Sequence, residues 1–166
     1  MSPQRPAEGS RPPDGSHTQA VLVLAWGNPD RRDDGAGWAV AAGLREALDP
    51  AEAEVLTFHQ LAPEHAELLG GRSLVLFIDA RVGDVGDSPL LERVVPAAEA
   101  RIDVTHHMSA AGLLALGRDL YGASPPAWLL SIPARDLSFG EGLSPGAAAL
   151  VGEAVRRAVA IIRQGA

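Results

Sequence analysis

Five acidic or imidazole side chains stand where the sequence could support chemistry. Asp33 and Asp34 follow the first apolar run, Asp79 ends another, and His106 and His107 precede a helical pattern. In open α/β sheets, ligands bind beyond the carboxyl ends of the strands, near a switch in strand order. Two carboxylates and an imidazole that converge there could bind a divalent cation such as Ni²⁺ or Zn²⁺. Three protein ligands would leave coordination positions open for substrate or water.

Each of these side chains also has a simpler interpretation. Asp33 or Asp34 could cap the following helix, because carboxylates favour helix N-termini. Asp79 is a natural turn residue, and either histidine could be an ordinary surface group. The spacing alone therefore leaves both the metal site and these structural roles open.

The elements that must position these side chains are indicated by the apolar pattern. Continuous apolar runs are typical of strands buried on both faces of a parallel sheet. The predicted strands are Ala20–Ala25, Glu54–Phe58, Ser73–Ile78, Leu90–Val95 and Ala127–Ile132. The predicted helices are Asp34–Leu48, Pro63–Leu69, Ser109–Tyr121 and Ser144–Arg163. This alternation predicts a three-layer α/β/α sandwich around a mostly parallel, twisted sheet of about five strands.

One strand is expected to run against the others. The segment Gly83–Pro89 is too short for a crossover helix, so Leu90–Val95 should lie antiparallel to its neighbour. Pro96 follows directly and suits an edge strand. Ser109 and Gly122 are expected to cap the helix between them.

Composition excludes several classes of protein. The chain has 166 residues, no Cys and a formal net charge of -7, and all 14 of its basic residues are Arg. An acidic chain without a basic cluster is a poor nucleic-acid binder, and the lack of Cys excludes disulfides and thiolate chemistry. No apolar run approaches the roughly 20 residues of a membrane span. Residues 1–18 are expected to form a disordered leader, residues 19–166 a single domain, and the cytoplasm is the expected location.

Other candidate site residues carry weaker signals. The sequence contains no Walker A loop and no G-x-S-x-G elbow, and the loop at Gly27 lacks the dinucleotide fingerprint. His59 and His65 are expected to be solvated. Arg31 and Arg32 are also expected to be exposed, although they flank the candidate site and could contact an anionic chain end.

The same residues carry a family pattern. Residues 27–37 resemble the G-N-P-x-x-x-D-D-G-x-G signature of the hydrogenase maturation proteases. Ile78-Asp79-Ala80 is similar to their Asp-Ala block, and residues 105–109 are similar to their His-containing block. Residues 131–134 and 139–145 resemble their C-terminal block, so the resemblance runs in order from about Ala20 to Arg163.

The resemblance implies an endopeptidase that removes the C-terminal extension of a nickel-loaded [NiFe] hydrogenase large-subunit precursor. The nickel then belongs to the substrate, and no organic cofactor is expected. By position, the residues implied as metal-binding and catalytic are Asp34, Asp79 and His107. Asp34 is preferred to Asp33 because it directly precedes the signature glycine, and the spacing of the third block favours His107 over His106.

The chain also departs from the family pattern. Ala25 replaces a frequent glycine, and Asp30 and Arg32 stand where an apolar residue and glycine are common. Two other interpretations therefore remain open: a non-catalytic module that binds the nickel-loaded subunit, and another α/β peptidase or hydrolase.

Overall fold

The computed structural model describes residues 19–84, 86–99 and 108–165. Within them, the strands are β1 (Val21–Trp26), β2 (Glu54–Phe58), β3 (Leu74–Arg81), β4 (Leu90–Val94) and β5 (Ala127–Pro133). The α-helices are α1 (Ala36–Ala47), α2 (Ala110–Tyr121) and α3 (Pro145–Gly165). Short 3-10 helices span Arg32–Gly35 and Pro63–Leu69.

The described strands form one sheet in the order β2-β1-β3-β5-β4. All neighbouring pairs are parallel except β4 and β5, which are antiparallel. The antiparallel edge strand predicted from the short preceding loop is therefore confirmed. The chain leaves β1 for β2 on one side and then returns to β3 on the other, which makes the β1–β3 boundary the switch in strand order.

Helices cover both faces of this sheet, which confirms the predicted α/β/α sandwich. Helices α1 and α3 pack on one face, where alternate strand residues such as Val23, Leu76 and Leu130 are fully buried. Helix α2 and the segment Pro63–Leu69 pack on the other face around Leu24 and Phe77. The continuous apolar runs follow from this arrangement, because successive side chains enter two different cores.

Two boundaries near the candidate site differ from the predictions. Helix α1 begins at Ala36 rather than Asp34, because Asp34 lies in the preceding 3-10 turn. Strand β3 continues past Ile78 to Arg81, so Asp79 lies inside the strand rather than at its end. Pairing with β5 extends the strand beyond its apolar run, and Asp79 lies opposite Ser131.

The predicted helix caps are confirmed. Ser109 accepts a hydrogen bond from the Gly112 N–H at 3.0 Å, and Gly122 ends α2 in the left-handed conformation. No helix among the described residues is long and apolar enough to cross a membrane. The predicted leader, residues 1–18, lies outside the described residues, so the proposed domain boundary stays a prediction.

Helix α1 approaches the sheet closely at Gly37. A Cβ atom added to Gly37 would lie 2.8 Å from the carbonyl oxygen of Trp26 and 3.1 Å from that of Ile78. These oxygens belong to β1 and β3, so the glycine allows the helix to pack across the switch in strand order. Neither backbone oxygen can move without disturbing the sheet.

We predict that Gly37→Ala destabilises the protein by about 1–2 kcal/mol, because the steric cost exceeds the gain in helix propensity. Gly146→Ala is the matched control, since a Cβ there meets nothing within 4 Å in the first turn of α3. That substitution should leave stability unchanged or raise it by up to about 1 kcal/mol. Urea unfolding of the two variants checks the prediction, and equal midpoints would contradict it.

Candidate functional site

The loop after β1 is held in shape around Asp34. Gly27 has a φ of 137°, and a Cβ atom there would lie 1.9 Å from the carbonyl oxygen of Asp34, so only glycine fits. The Asn28 N–H donates to Asp34 Oδ2 at 2.9 Å, and the Asp34 N–H donates to the carbonyl oxygen of Arg31 at 3.0 Å. These bonds fix the Asp34 carboxylate next to the end of β1.

Asp33 points away from this loop into the protein. Its side chain is fully buried and accepts hydrogen bonds from the backbone N–H groups of Arg135, Asp136 and Ser144 at 3.0, 3.0 and 2.7 Å. The Ser144 hydroxyl donates a further bond at 2.9 Å. Burial acts to raise the pKa of Asp33, but these bonds together lower it below its ordinary value. Asp33 therefore has a structural role: its side chain anchors the loop after β1 to residues 135–144.

Asp79 reaches the same region from β3. The sheet alternation that buries Phe77 on the α2 side places Asp79 on that side too. Its Oδ1 accepts from the Ala80 N–H at 2.8 Å, and Trp26 also hydrogen-bonds its carboxyl group. Burial, with a smaller contribution from the nearby Asp34 charge, raises the pKa of Asp79 to about 7 against the opposing effect of these hydrogen bonds.

Asp34 and Asp79 both line a cavity of about 770 Å³. It lies beside the carboxyl ends of β1 and β3, where the strand order switches. Most of its wall comes from the β1 loop, the end of β3, the start of α2 and the segment after β2. Its lining residues include Trp26, Asn28, Arg31, Asp34, His59, Leu61, Asp79, Val82, Met108, Ser109 and Leu137.

The structure thus brings together some of the predicted site residues. Asp34 and Asp79 meet in the cavity, whereas Asp33 does not line it. His106 and His107 lie outside the described residues, and the described chain resumes at Met108 on the cavity wall. Among the residues that the structure describes, no three His, Asp or Glu side chains form a group that could hold a metal ion.

Trp26 and His59 line the cavity although the sequence does not predict them as site residues, and His65, which does not line it, is less exposed than predicted. His59 is exposed as expected, yet it lines the cavity, with its ring 5.5 Å from that of Trp38. His65 was expected to be solvated but is half-buried, and its ring stacks on Phe58 at 3.9 Å. Nothing in the sequence marks Trp26 as a cavity residue apart from its position directly after an apolar run. All three depend on packing between β2 and its neighbours, which local patterns do not reveal.

The geometry defines what this cavity can do chemically. Asp34 and Asp79 repel each other when both are ionised, and a cation placed between their oxygens would relieve that repulsion. A carboxyl group with a pKa near neutrality can also accept or donate a proton during a reaction. The donor set therefore suits a divalent cation, or proton transfer to and from a bound substrate.

Comparisons with known structures identify the fold. The chain matches the hydrogenase maturating endopeptidase HybD from E. coli with a TM-score of 0.73 and 22% identity, covering 87% of this chain and 92% of that one. A solution structure of an endopeptidase from Escherichia coli matches with a TM-score of 0.66 and 25% identity, over 87% and 92% of the two chains. The [NiFe] hydrogenase maturation protease HybD from Thermococcus kodakarensis matches with a TM-score of 0.65 and 24% identity, over 86% and 98%.

These matches confirm the resemblance at the level of the fold. The chain has the three-dimensional architecture of several [NiFe] hydrogenase maturation proteases over most of its length. No protein-family model matches the sequence, and a search of curated proteins likewise gave no match.

We predict that the two adjacent aspartates differ sharply in their effect on stability. Asp33→Ala leaves three partly buried N–H groups without an acceptor and should lower the free energy of unfolding by about 3 kcal/mol at pH 7. Because the pKa of Asp33 is lowered in the folded state, its contribution is present above pH 3.8 and is lost as the pH falls through the folded-state pKa.

Asp34→Ala is the matched control, because it removes one partly buried hydrogen bond and should cost no more than about 1 kcal/mol. Chemical denaturation at pH 7 and at low pH measures both effects. Similar losses in the two variants at pH 7 would contradict the structural role of Asp33.

We also predict that Asp79→Asn stabilises the protein at alkaline but not at acidic pH. The raised pKa means that the folded state holds the proton of Asp79 more tightly than the unfolded state, so wild-type stability falls as the pH rises from about 4 to about 7. Asparagine lacks this penalty and should gain about 2 kcal/mol over the wild type at pH 8, after allowance for partial exposure. Denaturation midpoints at pH 4 and pH 8 test this, with the exposed Asp84→Asn as control.

Proposed function

We propose that this protein is an endopeptidase that removes the C-terminal extension of a nickel-loaded [NiFe] hydrogenase large-subunit precursor. The observation that carries the proposal is the meeting of Asp34 and Asp79 in one large cavity at the switch in strand order. The fold around this cavity is shared with proteins described as hydrogenase maturation proteases. The reaction is proposed to take place in the cytoplasm, without an organic cofactor.

In this proposal the nickel is part of the substrate. It arrives already bound to the precursor, and Asp34, Asp79 and His107 complete its coordination from the protease side. The two carboxylates supply oxygen ligands, and an imidazole is a common ligand for nickel. Met108, the residue after His107, lines the cavity, which supports a place for the histidine in the site. Contact with the metal reports that its insertion into the precursor is complete.

Docking of the nickel also positions the peptide that is cut. The chain contains no cysteine, and no serine stands in a recognisable nucleophile motif, so water is the proposed nucleophile. Water attacks the scissile carbonyl carbon, the carbonyl oxygen becomes an oxyanion, and the amine of the tail departs after protonation. A divalent cation polarises a carbonyl or lowers the pKa of water, and a carboxylate such as Asp34 accepts the proton.

The intact mass of the precursor tests this proposal directly. A nickel-loaded large-subunit precursor from the same genome is incubated with the wild-type protein, and a nickel-free sample of the same precursor serves as the substrate control. We expect loss of a C-terminal peptide only from the nickel-loaded sample. Asp79→Ala should reduce the rate by at least about 100-fold, a typical cost of removing a catalytic proton-transfer group or metal ligand.

Asp84→Ala is the matched enzyme control, because Asp84 is an exposed aspartate that does not line the cavity. It should cleave at the wild-type rate. Normal cleavage by Asp79→Ala would show that the site assignment is wrong. A stable complex without mass loss would favour a non-catalytic binding module, and cleavage that is independent of nickel would favour a different peptidase.

A further inference from the structure

Arg31 lines the cavity beside the two aspartates. Its backbone is fixed on both sides, because its N–H donates to the carbonyl oxygen of Asn28 at 3.0 Å and its carbonyl accepts from the Asp34 N–H at 3.0 Å. A second connection pairs Arg31 with Gly140 in a parallel bridge. The backbone from which the Arg31 side chain extends is therefore fixed by hydrogen bonds, as is that of Asp34.

The guanidinium of Arg31 lies near an exposed aromatic ring. Its central carbon is 5.8 Å from the centre of the Phe139 ring, and Phe139 is 82% exposed. This cation–π contact holds the guanidinium without using its hydrogen-bond donors. The Arg31 Nε is buried and has no hydrogen-bond partner among the residues that the structure describes. A buried donor of this kind in a substrate cavity requires an acceptor.

The neighbouring arginine has a different role. Arg32 lies 3.5 Å from the carboxylate of Asp136, and it does not line the cavity. The Arg31 guanidinium forms no such ion pair within the described part of the chain. Of the two arginines that the sequence places beside the site, Arg31 is therefore the one that lines the cavity.

We propose that Arg31 is a specificity-determining residue that binds a carboxylate of the substrate's C-terminal tail. The inference rests on the proposed function, because it assigns a role in recognising that tail. A guanidinium carries five donors and no acceptor, and its planar fork matches a carboxylate. Asp34 and Asp79 would repel a carboxylate that lies close to them, which favours binding of the anionic group at the Arg31 guanidinium, on the side of the Phe139 ring.

The carboxylate has two sources: an acidic side chain within the tail, or the terminal carboxylate of the chain. Three nickel-free pentapeptides separate them: acetyl-Ala-Leu-Glu-Leu-Ala-amide, the same peptide with Gln for Glu, and acetyl-Ala-Leu-Ala-Leu-Ala with a free C-terminus. Binding is followed by NMR through the Nε–H signal of Arg31 and the ring signals of Phe139. The wild type should bind at least one carboxylate peptide about fivefold more tightly than the Gln amide.

Arg31→Gln should abolish this preference, because it removes the cation and keeps a polar side chain. Arg32→Gln is the matched control, since it removes the same charge from the adjacent residue, and it should keep the preference. Tighter binding of the Glu peptide identifies a side-chain carboxylate, and tighter binding of the free C-terminus identifies the terminal one.

Equal binding of the three peptides by the wild type, or binding of none, would overturn the inference. A preference that survives in Arg31→Gln would overturn it as well. These outcomes are separate from the proposed function, because the peptides carry no nickel and the wild-type cleavage of the loaded precursor is measured independently.

Discussion

The site depends on one buried carboxylate, that of Asp33. Its four hydrogen bonds join the loop after β1 to the connection between β5 and α3, more than 100 residues further along the chain. The Asp33 N–H also donates to the carbonyl oxygen of Asp136, so both the backbone and the side chain of Asp33 bind this segment. Because a buried carboxylate is costly without such partners, these bonds favour this arrangement of the two segments over any that leaves Asp33 unpaired. The positions of both Arg31 and Asp34 follow from it.

The different environments of the adjacent Asp33 and Asp34 are a consequence of this anchor. The 3-10 turn at Arg32–Gly35 directs the Asp33 side chain inward and the Asp34 side chain towards the cavity. Asp34 can then face Asp79, which the pleat of β3 projects on the α2 side of the sheet. Gly27 permits the close approach that brings the backbone of Asp34 next to the end of β1. The local geometry thus gives two adjacent aspartates different environments, one as a buried anchor and one lining the cavity.

Much of this fold could be predicted from the sequence, because buried strands and capped helices have strong local signals. The apolar runs identified the strands to within a few residues, and the short loop before Leu90 predicted the antiparallel edge. The extension of β3 through Asp79 was missed, since it depends on pairing with β5 rather than on local composition. The anchor role of Asp33 and the difference between Arg31 and Arg32 were also beyond prediction. Both depend on partners at positions 135–144, which no local pattern reveals.

If the proposed function holds, the protonation of Asp79 helps the site to distinguish a nickel-loaded precursor from free metal. With a pKa near 7, Asp79 is only partly ionised in the free protein at neutral pH, because burial and the charge of Asp34 favour the neutral form. A free cation must then displace a proton, lose its own hydration and accept few protein ligands, all of which weaken its binding. Nickel that arrives in a precursor already has part of its coordination from that subunit. In the proposed function, protein–protein contacts would add to the binding energy, so the same carboxylates would respond to loaded precursor more strongly than to free metal.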